Sequence, residues 1–231
     1  MNAMTVKASW FVTGTDTGVG KTEVSVALLH ALARHHPRVV GMKPVAAGWV
    51  RAGTTWASED ALALRAASTV RVPPELDNPV LLPDPLSPHI AARRAGVPIR
   101  IDHIVACYHQ LALLADAVVV EGAGGFHVPL SDTTTGANLA QALALPVVLV
   151  VGLRLGCLSH AVLTAEAIRA RGLKLAGWVA NRIDPDMQAQ DDNITWLQRQ
   201  LGAPLLADIP HFTGLSLPTG PARLAITLPS A

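Results

Sequence analysis

The stretch Gly14 to Thr22, GTDTGVGKT, decides the fold. A phosphate loop is written as glycine, four residues, then Gly-Lys-Ser/Thr, because its backbone amides must wrap closely around phosphate oxygens. Here four residues separate Thr15 from Gly20, but five separate Gly14 from Gly20, so the first turn is one residue longer than the pattern. Such a motif has meaning only where a strand enters it and a helix leaves it. Ala8–Val12 supplies an apolar lead-in, and Val24, Ala27, Leu28 and Ala31 supply an i, i+3, i+4, i+7 stripe behind it. The amides of Gly18, Val19, Gly20, Lys21 and Thr22 then face an anion at a helix N-terminus, where the dipole also favours negative charge. Lys21 would reach the terminal phosphates and the Thr22 hydroxyl would bind Mg²⁺. The competing reading is a glycine-rich strand–helix turn that holds no ligand.

Further along, Val39–Met42, Ala117–Val120, Val147–Val151 and Leu175–Ala180 are short and almost wholly apolar. Continuous apolarity marks strands covered on both faces, which is the signature of a parallel sheet. Helical stripes lie between them: Ile101, Ile104, Val105 and Tyr108, then more weakly Ala161, Ala165 and Ile168. The alternation predicts an α/β fold, a doubly wound and mostly parallel sheet carrying a phosphate loop, of P-loop NTPase type, with residues 1–231 as one domain. Seven prolines between Pro73 and Pro98 exclude continuous regular structure there, and the interspersed Val80, Leu81 and Leu82 predict an ordered connection packed over a sheet edge. The last residues offer one possible strand, at Leu224–Leu228.

Composition narrows the function classes. Lys+Arg 18 against Asp+Glu 17 leaves a net charge of +1, so no electrostatic footprint for nucleic acid or a membrane surface is present. The longest apolar run, Ala144 to Val151, is too short to span a bilayer, and the start MNAMTVKASW lacks a signal-peptide core. Two cysteines, Cys107 and Cys157, make neither a disulfide framework nor a metal-spaced pair, as expected in a reducing cytoplasm. The histidines lack metal spacing, and the five tryptophans, Trp10, Trp49, Trp56, Trp178 and Trp196, are expected to pack.

Mg²⁺ on a nucleotide requires hard oxygen ligands, hence carboxylates. Glu121 directly follows the strand Ala117–Val120, at the strand end where α/β sheets place ligands. It opens EGAGG, whose small residues Gly122, Ala123 and Gly124 let backbone approach a ligand. Asp60 in SEDALAL sits at an expected helix start, where it reads equally as a metal ligand or a capping residue. Lys43 ends the strand Val39–Met42 in GMKPVAAG; it reads either as a surface lysine or as a cation aimed at bound phosphates.

Taken in order, FVTGTDTGVGKT, GMKPVAAG, SEDALAL, SPHIAA, VVVEGAGGFHVPL, PVVLVVGLRLGCLSHAVLT, LAGWVANRI and PLLADIP resemble the dethiobiotin synthetase family from about Trp10 to Phe212. That family uses the lengthened phosphate loop. The resemblance implies an ATP- and Mg²⁺-dependent cyclo-ligase that closes the ureido ring of dethiobiotin from 7,8-diaminopelargonate and CO₂, through a carbamate and its phosphoric anhydride, as a cytoplasmic homodimer. It further implies Thr22, Asp60 and Glu121 as metal ligands and Lys21 and Lys43 as the lysines on phosphates and carbamate. Thr17 would lie near the reacting amine. Nucleotide contacts would come from Gly18 to Glu23, from Gly122 to Gly124, and from Asn181, Arg182, Pro210, His211 and Phe212. Substrate contacts would come from Thr17, Lys43 and Ala47, and its tail carboxylate would meet the free amides of Gly156, Cys157, Leu158 and Ser159 across the dimer interface. The sequence departs from the family at Ala47, where relatives often carry Ser or Thr, and at Ser159, where some carry Asn. Leu215, Ser216 and Leu217 supply no acid for a ribose. An amidotransferase-like synthetase is disfavoured by length and by the lack of a Cys–His site. An ATP-switched partitioning or positioning protein is disfavoured by Asp16, which stands where those proteins carry an early lysine.

Overall fold

The computed structural model describes residues 8–211 and 224–229. Along the chain run β1 (Ala8–Gly14), α1 (Lys21–Leu32), β2 (Val39–Met42), β3 (Val45–Ala47), β4 (Val50–Ala52), β5 (Thr55–Ala57), α2 (Glu59–Ala67), α3 (Pro74–Asp77), β6 (Val80–Leu82), α4 (Pro88–Ala95), α5 (Ile101–Leu114), β7 (Ala117–Gly125), α6 (Gly136–Leu143), β8 (Val147–Gly152), α7 (Cys157–Ala170), β9 (Leu175–Asn181), α8 (Gln190–Gln200) and β10 (Leu205–Ile209). Six strands form one sheet in the order β10-β9-β8-β1-β7-β2, every pair parallel. Consecutive side chains on a strand face opposite sides, so one short apolar run feeds two cores. Phe11, Val118, Val120 and Leu149 join α5, α6 and α7 on one face. Trp10, Val12, Val119 and Val150 join α1 and α2 on the other. Burial on both faces is what makes the strands read as unbroken apolar runs.

Several boundaries differ from the sequence expectation. Strand β7 extends through Gly125, so Glu121 lies inside the strand and EGAGG is not a loop. The sixth strand, β10, was not legible, because Asp208 and Pro210 obscure LLADI. The proline-rich segment is ordered, as expected, and breaks into α3, β6 and α4; β6 pairs with β3 in a separate two-stranded ladder. Leu224–Leu228 forms no strand: the Thr227 amide donates to the Leu206 carbonyl at 3.0 Å and ties it to the edge of the sheet. Trp10 and Trp178 are buried as expected. Trp49, just before β4, and Trp56, in β5, instead stack on each other in the open, with ring centroids 5.1 Å apart. Among the described residues no helix is long and apolar enough to cross a membrane.

The site depends on how closely α2 lies on β2. A Cβ placed on Gly41 would stand 2.8 Å from Leu64 Cβ and 2.9 Å from Leu29 Cδ1. The Leu64 atom is rooted in the α2 backbone, so a rotamer change cannot relieve the clash. Gly41→Ala should therefore push α2 off the sheet and destabilise the fold by about 1–3 kcal/mol, the cost of overpacking a core. Urea denaturation checks this as a lower midpoint at unchanged slope; an unchanged midpoint would mean that α2 is free to shift.

Candidate functional site

The phosphate loop joins β1 to α1, as its sequence requires. Gly18 and Gly20 take positive φ angles of 73° and 89°, which glycine adopts without steric cost. Gly20 is closed in as well: a Cβ there would lie 2.1 Å from Asn181 Nδ2. That amide donates to the Val19 carbonyl at 2.9 Å, so the end of β9 holds the loop. At the loop's other end the Asp16 carboxylate accepts from the Thr17 amide at 2.7 Å and pairs with Arg154, which follows β8. The Asp16 carbonyl accepts from Lys21 Nζ at 2.9 Å. Burial, reinforced by the neighbouring Lys43, lowers the Lys21 pKa to about 8 against the pull of Glu121, Asp60 and Asp16.

Four elements converge beneath the loop. Thr22 comes from the first turn of α1, Asp60 from the first turn of α2, Lys43 from the residue after β2, and Glu121 from the middle of β7. Lys43 Nζ lies 2.7 Å from Asp60 Oδ2 and 2.6 Å from Glu121 Oε1. The Thr22 hydroxyl is 3.0 Å from Asp60 Oδ1 and 2.9 Å from Glu121 Oε1; with one proton it donates to one of them at a time. Lys43 is 4% exposed and Glu121 0%, which excludes the surface-lysine and exposed-acid readings. Desolvation works against the charge on Lys43, but the two carboxylates outweigh it and raise its pKa. For Asp60 desolvation is likewise outweighed, chiefly by Lys43, and its pKa is lowered. Asp60 is not the helix cap: Ser58 holds that place and accepts from the Ala61 amide at 3.4 Å.

This donor set suits a hard divalent cation. Two carboxylates already converge on one cationic centre, the Lys43 ammonium, and the Thr22 hydroxyl bonds to those same carboxylates. Glu121 Oε2 is buried with no hydrogen-bond partner among the described residues, and such an atom is costly unless something coordinates it. Thr22, Asp60 and Glu121 would hold Mg²⁺ here.

These groups open into a cavity of about 1090 Å³. Gly18, Gly20, Lys21, Thr22, Glu23, Asn181, Arg182, Pro210 and His211 line it on the phosphate-loop side. Thr17, Lys43, Ala47, Asp60, Glu121, Ala123 and Gly124 also line it. Val19 is buried under the loop. Gly122 packs over Phe11, and its carbonyl lies 3.4 Å from Lys43 Nζ. Arg182 is tied to Asp208 and Asp191, so its guanidinium is already paired, and its carbonyl contacts His211 Nδ1 at 3.1 Å. Phe212 lies outside the described residues, as do Leu215, Ser216 and Leu217. Gly156, Cys157, Leu158 and Ser159 open α7 and are not among the residues lining this cavity. Gly156 and Ser159 are exposed, whereas the Cys157 side chain is buried.

Reading the sequence for motifs missed one wall of the cavity, formed by Val45, Ala46, Val128 and the segment Pro85–Pro88. SPHIAA was the available signal for the last of these. Arg154 was not singled out either, although it lies within PVVLVVGLRLGCLSHAVLT, because it meets Asp16 only through the fold.

A model of the AAA domain family AAA_26 matches residues 8–219. Among solved structures, the fold is similar to a ParA family ATPase from Chlorobium tepidum TLS, at 18% identity and a TM-score of 0.56 over 90% of this chain and 86% of that one. The MinD cell division protein of Aquifex aeolicus is similar at 14% identity and a TM-score of 0.55, over 89% and 83%. The signal recognition particle receptor FtsY of Elizabethkingia anophelis, in complex with GDP, gives 18% identity and a TM-score of 0.52 over 91% of this chain and 60% of that one. At such identities the likeness concerns the fold. With the family match spanning most of its length, a strand-to-helix phosphate loop and a doubly wound parallel sheet, the chain belongs to the AAA domain family AAA_26 and has the P-loop NTPase fold of an ATP-binding protein.

Proposed function

We propose that the protein is a cyclo-ligase of the dethiobiotin synthetase type, joining CO₂ to the two amines of 7,8-diaminopelargonate with ATP and Mg²⁺. One observation carries this reading. The cavity does not end at the phosphate loop but reaches Lys43, Ala47 and Pro85–Pro88, and its volume of about 1090 Å³ stands at the top of the ~300–1,000 Å³ usual for a ligand pocket. It has room for a nucleotide and a second small molecule beside it. The ordered motifs from Trp10 to Phe212 supply the identity of that molecule.

In this reading one amine adds to CO₂ and gives up a proton, leaving a carbamate. A carbamate oxygen then attacks the γ-phosphorus and ADP leaves. The second amine attacks the carbamoyl carbon, the C–O bond to phosphate breaks, and the ring closes with loss of a proton. Bound Mg²⁺, held by Thr22, Asp60 and Glu121, would offset phosphate charge. Lys21 steadies the phosphates. Lys43 meets the oxygens on which the charge of carbamate and phosphoryl group converges, while Thr17 orients the reacting amine. Catalysis is then positioning and charge neutralisation, with no covalent role for the protein. The α7 N-terminus, its Gly156 and Ser159 exposed beside Leu155, which is 94% exposed, would take the tail carboxylate of a partner copy's substrate. Two buried free cysteines are in keeping with action in the cytoplasm.

The fold likeness to a ParA family ATPase and MinD supports a second reading, an ATP-switched positioning protein. Asp16 weighs against it, since its carboxylate is committed to Arg154 and Thr17 where a second loop lysine would stand.

ATP turnover should require both diaminopelargonate and bicarbonate, measured as phosphate release with each omitted in turn; rapid hydrolysis indifferent to both would favour the switch. Glu121→Gln keeps the size but removes a charge and should lower turnover steeply at limiting Mg²⁺ with circular dichroism unchanged. The two lysines should separate. Lys21→Ala should weaken ATP-analogue affinity and turnover together. Lys43→Ala should cost turnover at least about tenfold, as for a lost transition-state donor, with affinity by calorimetry changed by no more than a few-fold. Loss of both in Lys43→Ala would make it an ordinary phosphate ligand.

A further inference from the structure

Two buried polar side chains, Asp77 and Asn78, are 1% and 7% exposed and do not line the cavity. Both act on Lys43. The ladder between β2 and β7 ends at the pair Met42 and Val120, so the sheet leaves the next peptide without partners. The Lys43 amide instead donates to the Asp77 carbonyl at 2.7 Å. The Lys43 carbonyl accepts from Asn78 Nδ2, also at 2.7 Å. The lysine is thus gripped at both ends of its own residue by the chain leaving α3.

That segment is in turn fastened to α2. The Asp77 carboxylate accepts from Arg65 Nε at 2.6 Å and Arg65 Nη2 at 2.5 Å, a fork-to-fork pair that fixes orientation as well as distance. Arg65 Nη2 also reaches the Pro74 carbonyl at 3.5 Å. Arg65 and Asp60 stand on the same helix, five residues apart, or about 7.5 Å along its axis. The contacts therefore close a ring: Asp60, α2, Arg65, Asp77 with Asn78, Lys43, and back to Asp60 through the 2.7 Å ion pair.

We propose that Arg65, Asp77 and Asn78 are positioning residues for Lys43, a clamp that sets its distance from Asp60 without touching nucleotide or substrate. The effect on turnover rests on the reading of Lys43 as the cation at the transferring group; the clamp itself does not.

The experiment uses Asn78→Ala and Arg65→Lys, each made in the full chain and again in a Lys43→Ala background. Each should lower turnover by about three- to tenfold, the reach of one displaced hydrogen bond, at unchanged ATP-analogue affinity. In the Lys43→Ala background the same changes should cost less than about twofold, since residues acting through one another do not add. A loss of full size in both backgrounds would overturn the proposal and leave a merely structural role. So would turnover unaffected by both variants. A second reading needs no activity: acylation of the ligand-free protein, followed by mass spectrometry, should label Lys43 severalfold faster in both variants, with exposed Lys174 as reference. Unchanged Lys43 labelling overturns the clamp even if turnover proves independent of the diamine, whereas faster labelling with such turnover sinks only the ligase reading. If Asn78→Ala does not fold, Arg65→Lys decides the outcome on the same two measurements.

Discussion

Everything at this site depends on one buried ammonium held between two carboxylates, Glu121 buried and Asp60 partly exposed. Lys43 has almost no solvent, Glu121 has none, and Asp60 closes the group from the side of α2. Two buried opposite charges recover their lost hydration only if the geometry is tight and the remaining lone pairs are used. Here that demand fixes where four elements meet, because Thr22, Lys43, Asp60 and Glu121 come from four different parts of the chain. Removing Lys43 or Glu121 would leave the other of that pair without its closest buried counter-charge, which is the costly direction.

The phosphate loop is held from outside as much as by its own glycines. Asn181 fills the space over Gly20 and takes the Val19 carbonyl. Arg154 anchors Asp16 from the end of β8. The neighbouring strand ends thus fix the loop's conformation from outside. The lowered pKa of Lys21 belongs to the same economy of space: a second cation next to Lys43 in a buried cleft stays charged less readily until an anion joins it.

Much of this was legible from residues alone. The strands β1, β2, β7, β8 and β9 announced themselves as apolar runs because both of their faces are covered, and α1, α5 and α7 by their stripes. GTDTGVGKT located the strand-to-helix loop, because a tight turn at a helix start needs its glycines. β10 was lost because an edge strand, covered on fewer sides, tolerates Asp208 and so breaks the run. The stacked Trp49 and Trp56 show the limit of composition: an aromatic counts as core material until the hairpin that carries it is seen to stand in the open.

Sequence by itself determined the layered α/β architecture, the phosphate loop and the residue types able to hold a cation, since periodicity and local turn chemistry are properties of neighbours in the chain. It left Asp60 divided between cap and ligand, and Lys43 between surface and site. Only the tertiary structure removed the cap and surface readings, and only it brought together the Asp16–Arg154 pair and the grip of Asp77 and Asn78 on Lys43. The reason is physical. A buried charge is defined by what surrounds it, and Lys43 and Glu121, 78 residues apart, acquire their 2.6 Å contact only when β2 and β7 pair in the sheet.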